Sequence, residues 1–138
     1  MLSLTIVTPE RRVVGPVSVK SLTAPAGKGE VTILPGHARL LTTLETGVVS
    51  FERENGEKQF AAVSFGFVEV HGDKIVMLAE TLELAQEIDV DRARRALEKA
   101  QEKLKAKENF ELDMVKWQRK TQRSQIRLQA ANYLLPPH

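Results

Sequence analysis

Hydrophobic and polar residues alternate along short runs in the first part of the chain, and turn residues separate these runs. Leu2, Leu4 and Ile6 alternate with polar residues, which is the period of a half-buried strand. Runs with similar patterning recur at 17–20, 31–33, 40–44, 49–51, 60–62, 68–70 and 75–78. Several short strands at roughly ten-residue spacing are typical of an antiparallel sandwich or barrel.

Two hairpins are predicted within this part of the chain. Asn55-Gly56 lies between two strand-like runs, and an Asn-Gly pair favours the positive φ angles of a type I′ turn. His71-Gly72-Asp73 lies between the next two runs. Gly27-Lys28-Gly29 lacks the Gly-Lys-Ser/Thr continuation of a phosphate-binding loop, so we interpret it as a plain turn.

After Glu80 the apolar spacing changes to that of helices. A first face repeats at intervals of three and four residues and comprises Val90, Ala93, Leu97, Ala100 and Leu104. After the link Lys107-Glu108-Asn109, a second face continues the spacing with Phe110, Met114, Trp117, Thr121, Ser124, Leu128 and Ala131. Two matching faces joined by a short link predict an antiparallel helical hairpin.

The predicted fold class is therefore α+β. An amino-terminal antiparallel β-sandwich occupies residues 1–87, and a carboxy-terminal antiparallel two-helix hairpin occupies residues 88–138. Alanine, threonine and serine stand in the helical seam where a stable coiled coil has leucine or isoleucine. Each missing methylene forgoes about 0.8 kcal/mol of burial. We therefore expect a marginal hairpin whose position a ligand or a partner can decide.

Charge is distributed unequally between the two predicted domains. Residues 1–87 carry 8 Lys+Arg and 11 Asp+Glu, a net charge of −3, whereas residues 88–138 carry 12 and 7, a net charge of +5. The basic helices predict an acidic partner, which is a protein, a nucleotide or a nucleic acid. Because the chain has no cysteine, it can form neither a disulfide framework nor a thiolate metal site.

The sequence favours a non-enzymatic protein on the cytoplasmic side of a membrane. No apolar run approaches the roughly 20 residues that span a bilayer, and residues 1–5 lack the features of a signal peptide. No nucleophile–base arrangement or metal cluster is apparent, and His37 and His71 belong to turns without metal-ligand neighbours. A nucleic-acid-binding module that uses the basic hairpin is the alternative, and an enzyme is a third possibility.

The joint between the two domains is the strongest candidate site. Asp89 is well placed to cap a helix that begins after it, and Arg92 lies on the first turn of that helix. Arg123 and Arg127, four residues apart, share a face of the second helix. Facing the joint, these two guanidinium groups could grip a polyphosphate through bidentate hydrogen bonds. The alternative is a capped helix beside a solvated basic face.

Four segments together resemble the epsilon subunits of F-type ATP synthases, and the likeness runs from about Leu2 to Leu135. The segments are Val7-Thr8-Pro9, Gly29-Glu30-Val31-Thr32-Ile33-Leu34-Pro35-Gly36-His37, Gly66-Phe67-Val68-Glu69-Val70 and Ile88-Asp89-Val90-Asp91-Arg92-Ala93.

The resemblance implies a non-catalytic subunit of the rotor's central stalk, without a cofactor, that couples proton translocation to ATP synthesis. Its expected partners are the gamma subunit, the c-subunit ring and the alpha/beta catalytic head, on the cytoplasmic face of a bacterial plasma membrane. The expected ring contact includes Glu30, Pro35, Gly36 and His37. The helices would take two positions, folded against the sandwich or extended into the head, where they oppose ATP hydrolysis.

In some bacterial members of this family ATP is a regulatory ligand of the folded form. Carried over by position, the ATP site comprises Glu83, Ile88, Asp89, Arg92 and Ala93, together with Arg123 and Arg127 of the second helix. Such a ligand would bridge both helices, stabilise the compact form and oppose inhibition.

Three positions depart from the family pattern. Lys99 stands where ATP-binding members can have arginine, and a lysine cannot make a bidentate fork. Phe65 replaces the first of two glycines, and Thr32 stands where a glycine is usual.

Overall fold

Strands and helices form in the predicted order, although the predicted runs 60–62 and 68–70 belong to one continuous strand. The computed structural model describes residues 1–106 and 111–133. The strands are β1 (Leu2–Val7), β2 (Arg12–Ala26), β3 (Gly29–Ile33), β4 (Leu40–Leu44), β5 (Gly47–Arg53), β6 (Lys58–His71) and β7 (Lys74–Leu84). A 3-10 turn, Ala85–Glu87, leads to α1 (Val90–Lys105) and α2 (Glu111–Asn132). The predicted link 107–109 and the seam residue Phe110 lie outside the described residues.

The sheet closes on itself through β1, β2, β5, β6 and β7. The long strands β2 and β6 change partners along their length, and β6 pairs with β5 over 58–63 and with β4 over 66–70. The result is a flattened barrel, so the predicted sandwich is confirmed. A closed ring with an odd number of strands cannot be antiparallel throughout. The pair β1–β7 is parallel for this reason, and the other pairs are antiparallel.

Large aliphatic and aromatic side chains fill the space between the two walls of the flattened barrel. The predicted alternation of β1 is confirmed, because Leu2, Leu4 and Ile6 are buried while their neighbours are partly accessible. The largest buried members of this core are Phe51, Leu2, Leu4, Ile6, Leu22, Ile33, Leu44, Ile75 and Met77. We call this set the sandwich core.

Both predicted hairpins are confirmed, but the expected turn type of the first is wrong. Gly56 has a positive φ of 88°, whereas Asn55 does not, and a type I′ turn requires both. The Gly56 amide donates to the Arg53 carbonyl at 2.9 Å, and the Arg53 amide donates to Glu57 at 2.8 Å. The loop therefore has one residue more than a type I′ hairpin, and the extra residue is the left-handed glycine.

Strand β6 is irregular where it exchanges β5 for β4. Phe65 there has a φ of 48°, the one positive value among the non-glycine residues that the structure describes. Gly66 follows with a φ of 154°, and a Cβ atom at this position would collide with the Leu78 carbonyl oxygen. The second glycine of the family pattern is thus required by close backbone approach, whereas the first position holds a phenylalanine in a strained conformation.

The predicted cap and helical seam are both confirmed. The Asp89 carboxylate accepts a hydrogen bond from the Arg92 amide at 3.1 Å, so Asp89 is the N-cap of α1. The residues that α1 and α2 bury along the predicted seam are small, namely Ala93, Ala100, Ser124 and Ala131. Val90, at the start of the seam, is 38% exposed because it lies in the first turn.

Helix α2 lies between α1 and the sandwich. It packs against α1 on one side and against β5, β6 and the 3-10 turn on the other. The buried residues on the sandwich side, which we call the alanine cluster, are Ala62, Ala85, Ile88, Ala130 and Ala131. Phe60 stacks on Tyr133 beside this cluster, with ring centroids 4.6 Å apart.

Candidate functional site

Three arginines of α2 form a row along the helix face that meets the sandwich. Arg119, Arg123 and Arg127 are spaced four residues apart. The Arg119 guanidinium lies 6.0 Å from the centroid of the Phe65 ring. Arg127 donates two hydrogen bonds to Glu83 of β7, from Nε to Oε1 at 2.7 Å and from Nη2 to Oε2 at 3.3 Å. The first and last arginines of the row therefore contact the sandwich directly.

The side of α2 on which this row lies follows from the positions of the seam residues. Ser124 is buried in the seam, and Leu128 lines a groove with Val90 and Arg94 of α1. Arg123 and Arg127 each precede a seam residue by one position, which is a rotation of about 100° around a helix with 3.6 residues per turn. That rotation turns the two arginines from α1 toward the sandwich.

A cavity of ≈ 390 Å³ lies between α2 and the sandwich, next to this row. Both charged and hydroxyl side chains line it. The charged residues are Arg11, Glu83, Glu87, Arg123 and Arg127, and the hydroxyl residues are Thr46, Ser64 and Thr81. Ala62, Val63, Leu82 and Ile126 complete its lining. An apolar floor with convergent polar groups is the usual construction of a small-molecule site.

The three cations of the cavity differ in how fully they are paired. The Nε of Arg123 is buried and has no hydrogen-bond partner. Arg127 is engaged by Glu83, and both side chains are mostly buried, at 24% and 34% exposed. Arg11 lies 3.7 Å from Glu87, and this pair is far more exposed, at 59% and 44%, so it contributes little.

Of the predicted ATP-site residues, Glu83, Arg123 and Arg127 come together at this cavity. Glu83 and Arg127 are 44 residues apart in sequence, and a bidentate ion pair joins them. An anion arriving at Arg127 has to compete with that carboxylate, whereas the Nε of Arg123 has no competing acceptor.

The other four predicted residues occupy the joint and do not line this cavity. Ile88 is buried in the alanine cluster, and Ala93 is buried in the helical seam. Asp89 caps α1, and the side chain of Arg92 is exposed. The complete set of seven residues as one ATP site stays a prediction.

Apart from Glu83, sequence reasoning missed the residues on the sandwich side of the cavity. Arg11 belongs to the turn between β1 and β2, Thr46 to the turn before β5, and Ser64 and Thr81 to β6 and β7. The Thr46 and Ser64 hydroxyls are 3.5 Å apart, although 18 positions separate them in the chain. The adjacent arginines Arg11 and Arg12 were a visible signal, but placing one of them at the cavity requires the strand register.

Three of the predicted ring-contact residues lie in the loop that follows β3, and the fourth, Glu30, lies near the start of that strand. Glu30 is exposed on β3, and Pro35 and Gly36 are exposed at the tip that follows. The His37 amide donates to the Leu34 carbonyl at 3.1 Å, which closes the turn and leaves Leu34 54% exposed. Their contact with a c ring stays a prediction.

Residues 1–106 and 111–133 contain no group of three or more His, Asp or Glu side chains that could hold a metal ion. In the same described ranges no helix is long and apolar enough to cross a membrane.

Two family models match the chain in succession. The β-sandwich domain of the ATP synthase delta/epsilon chain matches residues 1–85, and the long α-helix domain of the same chain matches residues 86–132. The two models meet two residues before the boundary predicted from the sequence, between residues 87 and 88, which stays a prediction.

Several bacterial ATP synthase epsilon chains are similar along most of their length. That of Carboxydothermus hydrogenoformans is 48% identical over 103 residues, which are 75% of either chain. The Moorella thermoacetica chain is 40% identical over 130 residues, covering 94% of this chain and 96% of that one. The Bdellovibrio bacteriovorus chain is 37% identical over 131 residues, or 94% of either chain.

The fold also matches a solved structure. A chain of the Euglena gracilis mitochondrial ATP synthase, in a structure of OSCP, F1 and the c-ring, superposes with a TM-score of 0.83 at 23% identity. The match covers 95% of this chain and 81% of the Euglena chain, and it shows that the two share a fold. Because both halves match their family models and the curated relatives match along nearly the whole chain, this protein belongs to the family of epsilon subunits of F-type ATP synthases.

Proposed function

We propose that this chain is a non-catalytic subunit of the rotor's central stalk, which couples proton translocation to ATP synthesis and restrains ATP hydrolysis through movable helices. The observation that carries the proposal is the contrast between a fully packed sandwich and a hairpin docked on it through small residues. Similar chains come from assemblies described as F1/c-ring and as central stalk/c-ring, which supports the stalk position.

One face of the sandwich suits a stable protein partner. Leu41 on β4, Phe67 on β6 and Leu78 on β7 are 71%, 53% and 50% exposed. Phe67 is directly opposite Leu78, and Val76 lies two residues before Leu78 on the same face. Large apolar side chains that are contiguous and exposed mark interaction surfaces. We propose that this apolar face binds the gamma subunit.

Co-purification with gamma tests the stalk assignment. The wild-type chain should co-purify with gamma in stoichiometric amounts, and the double variant Phe67→Asp/Leu78→Asp should not, because two charges would be buried in the interface. Leu34→Asp is the matched control, since Leu34 is similarly exposed but lies outside the apolar face. A wild-type chain that fails to co-purify would sink the proposal.

We propose that the exposed tip of residues 34–37 rests on the c-subunit ring of a bacterial plasma membrane, at its cytoplasmic face. Leu34 and Pro35 offer apolar surface, and His37 offers a polar group in the same turn, while Glu30 is exposed four residues before Leu34 on β3. Exchanging Leu34 for Asp should leave gamma binding intact and weaken association with the ring, measured by retention on membranes that contain the ring.

The docked hairpin suits a regulatory role. Its net charge is opposite to that of the sandwich, and its contacts with the sandwich are few and small, so a competing acidic surface of the catalytic head can attract it. In this proposal the folded hairpin permits hydrolysis and the extended hairpin opposes it. Weakening the docking with Glu83→Gln should therefore lower ATP hydrolysis by the assembled enzyme, whereas Asp91→Asn, which breaks an exposed pair within α1, should not.

ATP is the proposed ligand that holds the hairpin down, bound by Glu83, Ile88, Asp89, Arg92 and Ala93 with Arg123 and Arg127. Trp117 is the only tryptophan and lies on α2, so its emission reports the state of that helix.

An ATP titration of the isolated protein, with Arg123→Ala/Arg127→Ala as control, should give a saturable change that the control lacks. No response to millimolar ATP, with calorimetry in agreement, would remove ATP gating and leave the stalk assignment intact.

A further inference from the structure

We propose that the cavity beside the arginine row binds a polyphosphate between Arg11 of the sandwich and Arg123 of α2. Arg11 is a ligand contact that neither the joint motif nor the helices supply. The inference rests on the proposed ATP gating and deepens it. A ligand held in this way ties α2 to the sandwich itself, in addition to any contact with α1.

The two cations named here have the weakest competing partners among the three that line the cavity. Arg123 presents a buried Nε without a partner. The Arg11 side chain is 59% exposed, and its 3.7 Å contact with Glu87 is too long for a hydrogen bond. Arg127, by contrast, is held by Glu83 at 2.7 and 3.3 Å. A ligand therefore has to compete with the Glu83 carboxylate for Arg127, and it meets less competition at Arg11 and Arg123.

The backbone fixes Arg11 at the mouth of the cavity. The Thr8 amide donates to the Arg11 carbonyl at 2.9 Å, and the Arg11 amide donates to the Thr8 hydroxyl at 3.4 Å. These bonds close the turn between β1 and β2, so the backbone that carries the Arg11 side chain is ordered. A preorganised cation loses less freedom on binding than one at a mobile chain end.

The remaining lining matches a phosphate chain rather than a single carboxylate. The Thr46, Ser64 and Thr81 hydroxyls can donate to phosphate oxygens, and guanidinium forks pair with phosphate bidentately. The cavity of ≈ 390 Å³ is within the range of about 300–1,000 Å³ found for small-molecule sites. Glu87 lies 3.7 Å from Arg11, so a phosphate group that binds Arg11 has to displace this exposed carboxylate.

Calorimetric titration of the full chain with ATP, tripolyphosphate and adenosine tests the inference. Arg11→Gln should weaken ATP and tripolyphosphate binding about tenfold, which corresponds to about 1.4 kcal/mol, because one bidentate contact is lost. Adenosine binding should not change. Arg12→Gln is the matched control, because Arg12 is the exposed neighbour of Arg11 and does not line the cavity. Arg11→Lys should fall between wild type and Arg11→Gln, since it keeps the charge without the fork.

The possible results separate this inference from the proposal on which it rests. If Arg11→Gln binds ATP as tightly as wild type while Arg123→Ala/Arg127→Ala does not bind, ATP gating stands and the role of Arg11 is overturned. If wild type binds none of the three ligands, both proposals fail. Tripolyphosphate binding as tight as ATP binding supports the site and identifies the phosphate chain as its ligand. Tighter ATP binding with the same loss in Arg11→Gln supports the site and identifies a nucleotide.

Discussion

The sandwich core and the alanine cluster are two hydrophobic contacts in one chain, built from residues of different size. The sandwich core is made of Leu, Ile, Phe and Met side chains that are almost wholly inaccessible. The alanine cluster has Ile88 as its one large buried member. Burying a large apolar side chain contributes about 1.5–3 kcal/mol, whereas alanine offers a single methyl group.

The difference means that the two regions respond to separate perturbations. Opening the hairpin exposes the alanine cluster and the apolar side chains packed beside it, and water can replace the polar contacts of α2 with the sandwich. Opening the sandwich exposes the whole core. Local opening free energies differ in this way within many proteins. We therefore expect Trp117, on α2, to report a transition at lower denaturant concentration than the strands do.

The largest effect is expected in the sandwich core. Phe51 is 1% exposed, and Phe51→Ala should reduce the free energy of unfolding by about 3–5 kcal/mol through lost burial and a residual cavity. The urea midpoint measured by far-ultraviolet circular dichroism checks this. Phe67→Ala is the control, because Phe67 is 53% exposed and its truncation should cost less than about 0.5 kcal/mol. Equal losses in the two variants would contradict the core assignment.

A smaller effect is expected at the ion pair that docks α2. Glu83→Gln should destabilise docking by about 1–2 kcal/mol, the value for hydrogen bonds to charged groups after allowance for partial exposure. The Trp117 transition should move to lower urea while the strand transition stays in place. Asp91→Asn removes an exposed 3.8 Å pair with Arg94 and should move neither transition. A shift of both transitions by Glu83→Gln would show that the two regions unfold as one.

The N-cap residue Asp89 should stabilise α1 by about 1 kcal/mol. Asp89→Ala removes the acceptor of the Arg92 amide, and Asp89→Asn keeps a side-chain oxygen of comparable capping strength. Hydrogen exchange of the first-turn amides should accelerate in the alanine variant and stay near wild type in the asparagine variant. Faster exchange in both variants would assign the effect to the charge of Asp89 instead of its hydrogen bond.

The smallest effect is expected at the end of α2. Tyr133→Ala removes the stacking on Phe60 and should cost about 0.5–1 kcal/mol of docking free energy. Tyr133→Phe keeps the ring and should behave as wild type. The midpoint of the Trp117 transition measures both variants, and an identical midpoint for all three proteins would exclude a role for the stacked pair.

Local sequence patterns predicted the strands and helices, but they did not predict where these elements contact one another. The alternation of Leu2, Leu4 and Ile6 predicted β1, and the three-four spacing predicted both helical faces. The parallel β1–β7 pair was not visible, because it depends on how many strands close the ring.

The candidate site shows the same limit. Arg123 and Arg127 were visible as a pair on one helix face, but α2 has partners on two sides, and periodicity does not say which partner a flanking residue meets. Arg11 could not be placed at all without the register of β1 and β2. Residues adjacent in sequence are predictable from spacing, and residues brought together by closure of the sheet are not.

The position of α2 between α1 and the sandwich gives the hairpin two depths of opening. The outer helix can peel away while the alanine cluster and the Glu83–Arg127 pair remain closed. The inner helix cannot lift from the sandwich without carrying α1 with it or losing packing on both of its faces. In the regulatory role proposed above, these two openings would be a shallow and a deep position of the hairpin, and a ligand bound between α2 and the sandwich would oppose the deep one.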